Sequence, residues 1–280
     1  MKALHLFLIL LCSATPLAAA GLPVYWQGTE EQWSRFVRYW QQGSEQALKR
    51  VAQPSEARLA IWPHCTMQQD STASSGKAAQ TLHVYQRCSR YALTIEAPTK
   101  TGHALLWFEP APTQMLAALS TQFPELQTIG LLIGPNSGTT FRRWQQALPP
   151  GSPSLQPLLI RTGEQPARVF PLLLPRVSSI MLLQQPVLND GIAAILLEQA
   201  MRRGKPVVTD NPQWLQLGAA ISVSITEEIR LQETARAAQR LLRQPQSFDV
   251  DLPVHIEFNY QTLRSLATAA TTSQEAMHGH

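Results

Sequence analysis

Polar and aromatic residues in this chain gather where apolar runs stop. The stretch "SSIMLLQQPVLNDGIAAILLEQAMRRGKPVVTD" halts at Gln184 and Gln185, then again at Asp210 and Asn211, with Trp214 close behind. "TIGLLIGPNSG" halts at Asn136 and Ser137, and "HALLWFEP" halts at Trp107 and Glu109. Amides and hydroxyls exchange hydrogen bonds with a neutral solute. Carboxylates at Asp210 or Glu109 can fix an amine, and indole faces can stack on a ring or sugar. This is the chemistry of holding a molecule. Each residue also has an ordinary alternative: turn or cap chemistry for Asn136, Ser137 and the glutamines, core packing for the tryptophans, a solvated surface for Glu109.

Signatures of catalysis are missing from the same segments. "GPNSGTT" lacks the lysine and the spacing of a phosphate-binding Walker loop. It is not a G-x-S-x-G nucleophile turn either, because Ser137 falls one place late. His64 has no visible nucleophile partner, and no ligand spacing suits a metal. The expectation is a non-enzyme without metal or cofactor.

The elements that would carry these residues alternate regularly. The run over 180–183 reads as a strand covered on both faces. Asn189 or Asp190 can cap the helix that follows, whose Ala193, Leu196, Leu197, Ala200 and Met201 share one face. Gly204 suits its stop, and Val207–Val208 a second strand. Strands over 129–133 and 155–160, helices over 139–148 and 167–174, a strand over 219–225 and a helix capped by Thr226 continue the rhythm. Five strands alternating with helices over 129–244 predict a doubly wound parallel sheet. Upstream, Thr29 and Gln32 form a capping box, and strands are expected at 59–62 and 104–108. The alternating segments 82–87 and 92–96 read as exposed strands, and 67–80 as a mobile polar loop. In such sheets ligands lie beyond the carboxyl ends of the strands, so the candidate loops are 62–64, 107–110, 134–139, 184–189, 209–214 and 222–226.

The chain has 280 residues, is 44% hydrophobic and carries a net charge of +4 with no basic stripe, so nucleic acid is not an expected partner. Residues 1–20 read as a secretory signal: Lys2, an apolar stretch, then Ala18 and Ala20 at an A-x-A site. Leu11 stands where a lipoprotein signal carries a small residue before Cys12, which argues against a lipid anchor. The mature chain is expected in the periplasm. It keeps Cys65 and Cys88, an even pair that in an exported protein predicts a disulfide; two separately buried thiols are the alternative.

Three ordered stretches resemble the ABC-transporter substrate-binding proteins of the type I periplasmic-binding fold. They are "HALLWFEPAPTQMLAALSTQFPELQTIGLLIGPNSG", the 178–210 segment extended through "GKPVVTDNPQWLQLGAAISVSITEEI", and "DLPVHIEFNYQTLRSLA". The resemblance covers roughly 103–267 and departs from the family at Gln184–Gln185, where related chains often carry Pro-Asp, and in a short first lobe. It implies an α/β fold of two Rossmann-like lobes with parallel doubly wound sheets, the first lobe degenerate. The expected divisions are 21–128 plus 245–270, then 129–244, then a tail at 271–280, with hinge crossings near 123–128 and after 244. It also implies a monomer that closes on a small-molecule solute and delivers it to an inner-membrane ABC permease. The alternative is a degenerate module that serves as an interaction or sensor protein for another envelope protein.

A Cys65–Cys88 bridge closes a loop of roughly two dozen residues, worth about 3 kcal/mol. Thiol titration of exported protein should find free thiols only after reduction, and reduction should lower the melting temperature by about 6–12 °C. Two titratable thiols before reduction would remove the bridge.

Overall fold

The structure is a computed structural model that describes residues 21–62, 82–87, 102–134, 138–148, 150–185 and 187–268. Apolar runs become its strands: β1 (Leu22–Trp26), β2 (Leu48–Val51), β3 (Leu59–Trp62), β4 (Leu82–Arg87), β5 (His103–Trp107), β6 (Thr128–Ile133), β7 (Ser154–Leu159), β8 (Ser179–Leu182), β9 (Val207–Thr209), β10 (Ile221–Ser224), β11 (Phe248–Asp251) and β12 (His255–Phe258). Between them run α1 (Glu30–Gly43), α2 (Pro112–Gln122), α3 (Gly138–Ala147), α4 (Pro166–Leu173), α5 (Asp190–Arg202) and α6 (Glu227–Arg243). A closing helix, α7, occupies 260–268 as far as described.

Local chemistry sets the helix starts. The Thr29 hydroxyl accepts from the Gln32 N–H while the Gln32 side chain accepts from the Thr29 N–H, the reciprocal capping box expected from sequence. Asn189 caps α5 by accepting from the Ile192 N–H, and Thr226 caps α6 by accepting from the Ile229 N–H. No helix among the described residues is long and apolar enough to cross a membrane.

The strands form two six-stranded sheets, ordered β11-β5-β4-β3-β1-β2 and β12-β10-β9-β8-β6-β7. Every pair in the first sheet is parallel. The second is parallel except for β12, which lies antiparallel to β10. The parallel, doubly wound sheet expected from the apolar rhythm, and the two-lobed α/β class implied by the resemblance, are what the chain adopts. β4 differs from expectation: it is an inner strand paired on both edges by β3 and β5, and its Val84 is fully buried in the core beneath α6. Segments 67–80 and 92–96 lie outside the described residues.

The chain changes sheets at other points than expected. After β5, residues 108–111 lead to α2, whose Met115 and Leu119 pack with Ile129, Leu131 and Val223 of the second sheet. After β10, residues 225–226 lead back to α6, whose Leu231, Ala235, Ala238 and Leu241 pack with Val24, Leu59 and Phe36 of the first lobe. After β11, residues 252–254 lead to β12 in the second sheet. The crossings therefore lie at these links, not at 123–128 and after 244. α2, β12 and α7 join the second lobe, and α6 joins the first. An amphipathic helix records its buried face but not which sheet receives it, which is why the division by sequence misplaced them.

Each link leaves the carboxyl end of a strand, and an extended residue spans at most about 3.6 Å. Links of two to four residues thus hold the carboxyl edges of the two sheets against each other. The first core joins both sheet and helices through Trp26, Phe36, Trp40 and Leu241. The second lobe has a core on each face, one around Phe170, Leu197 and Trp214, the other around Trp144 and Met115.

Leu241→Ala should cost about 2–5 kcal/mol as a buried large-to-small change. Hydrogen exchange should show the lost protection in β1, β3 and β4. Loss confined to β8–β10 would contradict the exchange of α6 between lobes.

Candidate functional site

Aromatic side chains end the strands of the first sheet. β1 ends in Tyr25 and Trp26, β3 in Trp62, and β5 in Trp107 followed by Phe108. Strand alternation divides them. Trp26 turns to the core and stacks on Phe36, with ring centroids 5.0 Å apart. Tyr25 and Trp62 are half-buried on the other side, with centroids 5.1 Å apart and planes tilted by 56°. The loop after β1 is tightly fitted: a Cβ on Gly28 would come within 2.4 Å of the Trp26 Nε1, so only glycine lets the backbone cross the indole there. An open pocket of about 530 Å³ lies at this end of β1 and β2, lined by residues 25–29 together with Arg50, Val51 and Ala52.

The rim of the second sheet is laced by side chains that reach the backbone of the neighbouring strand. Gln185, just beyond β8, accepts from the Gly134 N–H at 2.6 Å and donates through Nε2 to the Leu132 carbonyl at 3.0 Å. Asp210, just beyond β9, accepts from the Gln184 N–H at 2.7 Å. Asn211 accepts from the Gln213 N–H, and its own N–H donates to the Thr209 hydroxyl. These bonds continue the ladder past the strand ends and hold the loops in place.

The expected site residues divide accordingly. Gln184 and Asp210 stand on the rim, Gln184 exposed and Asp210 half-buried. Gln185 has both ends of its amide engaged by the protein, and Asn211 is buried as a turn cap. Trp214 corrects the stacking reading: it is 1% exposed, packs in the second core, and donates its Nε1–H to Asp190 at 2.9 Å. Trp107 and Glu109 are buried at the head of the first crossing, 8% and 5% exposed, so Glu109 is no solvated surface carboxylate. Asn136, Ser137, His64, Cys65 and Cys88 lie outside the described residues. Sequence reasoning missed Tyr25, the loop after it, and Arg50. A short strand beginning at Leu22 with a proline in it gave no alternation to read. No cluster of three or more metal-ligating side chains occurs among the described residues.

Burial pushes the Asp210 carboxyl up to about 6, against the hydrogen bonds from the backbone that favour its charged form. At neutral pH it is ionised at some cost. An N–H donor or cation arriving at the rim would lower that cost.

No family model and no curated sequence matches the chain. Solved structures of the same architecture do. The ligand-free, open form of a substrate-binding protein with adhesive properties from Clostridium difficile is similar with a TM-score of 0.62 at 14% identity, over 88% of this chain and 93% of that one. A conserved domain protein from Vibrio cholerae gives 0.51 at 12% identity, over 89% and 95%. An ABC domain from Streptococcus pneumoniae in complex with L-Trp gives 0.50 at 12% identity, over 88% and 94%. At such identities the likeness is one of fold.

The raised Asp210 value carries a signed consequence. The folded state binds the proton more tightly than the unfolded one, so the stability that Asp210 contributes is greatest below about pH 4 and is lost as pH rises through about 6. Asp210→Asn, which keeps an oxygen for the Gln184 N–H, should flatten that fall in denaturant titrations between pH 4 and 7. An unchanged pH profile would place the Asp210 carboxyl at its ordinary value.

Proposed function

We propose that this chain is a periplasmic solute-binding protein of an ABC-type uptake system. It is exported with cleavage after Ala20 and works as a monomer. It holds a small ring-bearing solute between the facing strand edges and hands it unchanged to an inner-membrane permease. What supports this reading is the unlike chemistry at the carboxyl edges of the two sheets, which the short crossings bring together. The first rim offers the half-buried Tyr25–Trp62 pair, and the second offers Asp210. Rings stack on the first, and an N–H donor meets the second. Gln184 stands beside Asp210 and supplies an exposed amide. The similar Streptococcus pneumoniae domain is in complex with L-Trp, a ring-bearing molecule, which supports a ring-bearing solute here.

Closure follows from the crossings. A solute that touches both rims only when they approach favours the closed form by its extra contacts there. The second rim is already held by its own side chains, so little ordering remains to be done there on binding.

Calorimetric titration with ring-bearing amines and amino acids should find binding. Trp62→Ala and Asp210→Asn should each weaken it about tenfold, equivalent to about 1.4 kcal/mol. If no ring-bearing solute binds, or if both variants bind as the parent does, the transport reading fails and the envelope interaction module takes its place.

A further inference from the structure

Four of the seven large apolar side chains left exposed among the described residues, Leu172, Met201, Leu217 and Tyr260, gather at the amino edge of the second sheet. Backbone pairing places them. Tyr260 follows β12, where the Asn259 N–H donates to the Ala220 carbonyl at 3.0 Å and the Asn259 side chain donates to the Leu215 carbonyl at 2.7 Å. These bonds tie the start of α7 to residues 215–220, which carry Leu217 and lead into β10. The Ala220 N–H donates to the Val207 carbonyl at 2.9 Å, so that segment lies beside residues 203–206, which lead into β9. The Ile180 N–H donates to the Pro206 carbonyl at 2.9 Å, which sets residues 176–178, leading into β8, next in line. The chain points at Tyr260, Leu217, Arg203 and Arg176 therefore follow one another along the edge at one strand spacing each, over about 14 Å. Met201 lies in the last turn of α5 just before Arg203, and Leu172 in the last turn of α4 just before Arg176.

The charges at this edge are nearly all positive. Arg176, Arg203 and Arg264 are exposed, Lys205 is half-buried, and none of them forms an ion pair with a described residue. Glu198 is taken by Arg202 at 2.6 Å, which leaves four cations against Glu125 in the exposed turn before β6. The end of α5 accounts for a cation in its last turn. It does not account for Arg264, near the start of α7, nor for the apolar side chains standing in water between the cations. A protein partner calls for a joined apolar centre with its charges at the rim. Here single apolar side chains alternate with arginines. That alternation suits the boundary layer of a bilayer, where tyrosine and aliphatic side chains sink among the headgroups and guanidinium groups meet the phosphates.

We propose that the amino edge of the second sheet is a docking face for an anionic phospholipid surface. The three crossings meet this sheet at its opposite, carboxyl edge. A chain resting on a membrane by this face therefore keeps its carboxyl edges uncovered. The proposal stands on the second lobe alone and does not depend on the identity of a solute.

Flotation of the mature chain with lipid vesicles tests it. Phosphatidylcholine vesicles containing about one-third phosphatidylglycerol should carry the chain upward at low salt, and pure phosphatidylcholine vesicles should not. Each cation near such a surface contributes about fivefold, so Arg176→Glu with Arg203→Glu should lower the partition by at least about tenfold. Arg176→Gln with Arg203→Gln should give a smaller loss, and Tyr260→Ser a loss of about threefold. All three should melt near the parent, since these side chains are exposed. Lys49→Glu with Arg58→Glu makes the same change of charge on exposed residues of the first lobe and should leave binding within about twofold. If that pair weakens binding as much as the Arg176 and Arg203 pair does, net charge alone attracts the membrane and the docking face is overturned. If neither vesicle carries the chain, the proposal falls. If the chain binds poly-glutamate through Arg176 and Arg203 but binds no vesicle, an acidic protein covers this face and the lipid reading is overturned.

Discussion

Three short links decide the shape of this molecule. Residues 108–111, 225–226 and 252–254 each carry the chain from one sheet to the other, and none is long enough to travel around either lobe. Because β5, β10 and β11 all meet these links with their carboxyl ends, the edges that must face each other are the carboxyl ones. A parallel sheet collects its loops, its helix N-termini and its unpaired backbone groups at that edge. Opposing two such edges brings these groups of the two sheets toward one another. The exchange of α2 and α6 between lobes follows from the same links, since each helix begins where a crossing ends.

The two rims solve different problems. The first is built of large flat side chains whose burial gives area without demanding hydrogen bonds. The second is built of amides and a carboxylate that extend the strand ladder by one more rung: Gln185 reaches from β8 toward β6, and Asp210 from β9 toward β8. Asp210 is not placed for stability: it is ionised at neutral pH against the desolvation it suffers. By contrast Glu227 is held well by Gln32 and Arg35, which fastens α6 to α1 and lowers its pKa.

Much of this was legible in the residues. β6 and β8 are apolar runs, β7, β9 and β10 are short apolar segments at the same rhythm, and α5 and α6 carry their caps in sequence, as Asn189 and Thr226 do. The edge strands of the first sheet were not legible. β2 reads "LKRV" and β11 reads "FDVD", each with exposed charges, because a strand with one free edge needs little apolar cover. β4 looked like a surface strand for the complementary reason: alternation was visible, but the neighbours that bury it were not. Site residues were half-legible. A glutamine or tryptophan at a strand end announces hydrogen-bonding capacity without naming the partner. Gln185 spends its amide on the backbone and Trp214 its indole on Asp190, while Asp210 stays at the rim.

The central claim is that the two carboxyl edges form one gap that narrows around a solute. Small-angle X-ray scattering of the mature chain, stripped of ligand by partial unfolding and then refolded with and without a ring-bearing solute, tests it most directly. The account predicts a smaller radius of gyration with the solute and a larger one without. Identical scattering curves under saturating solute would contradict it.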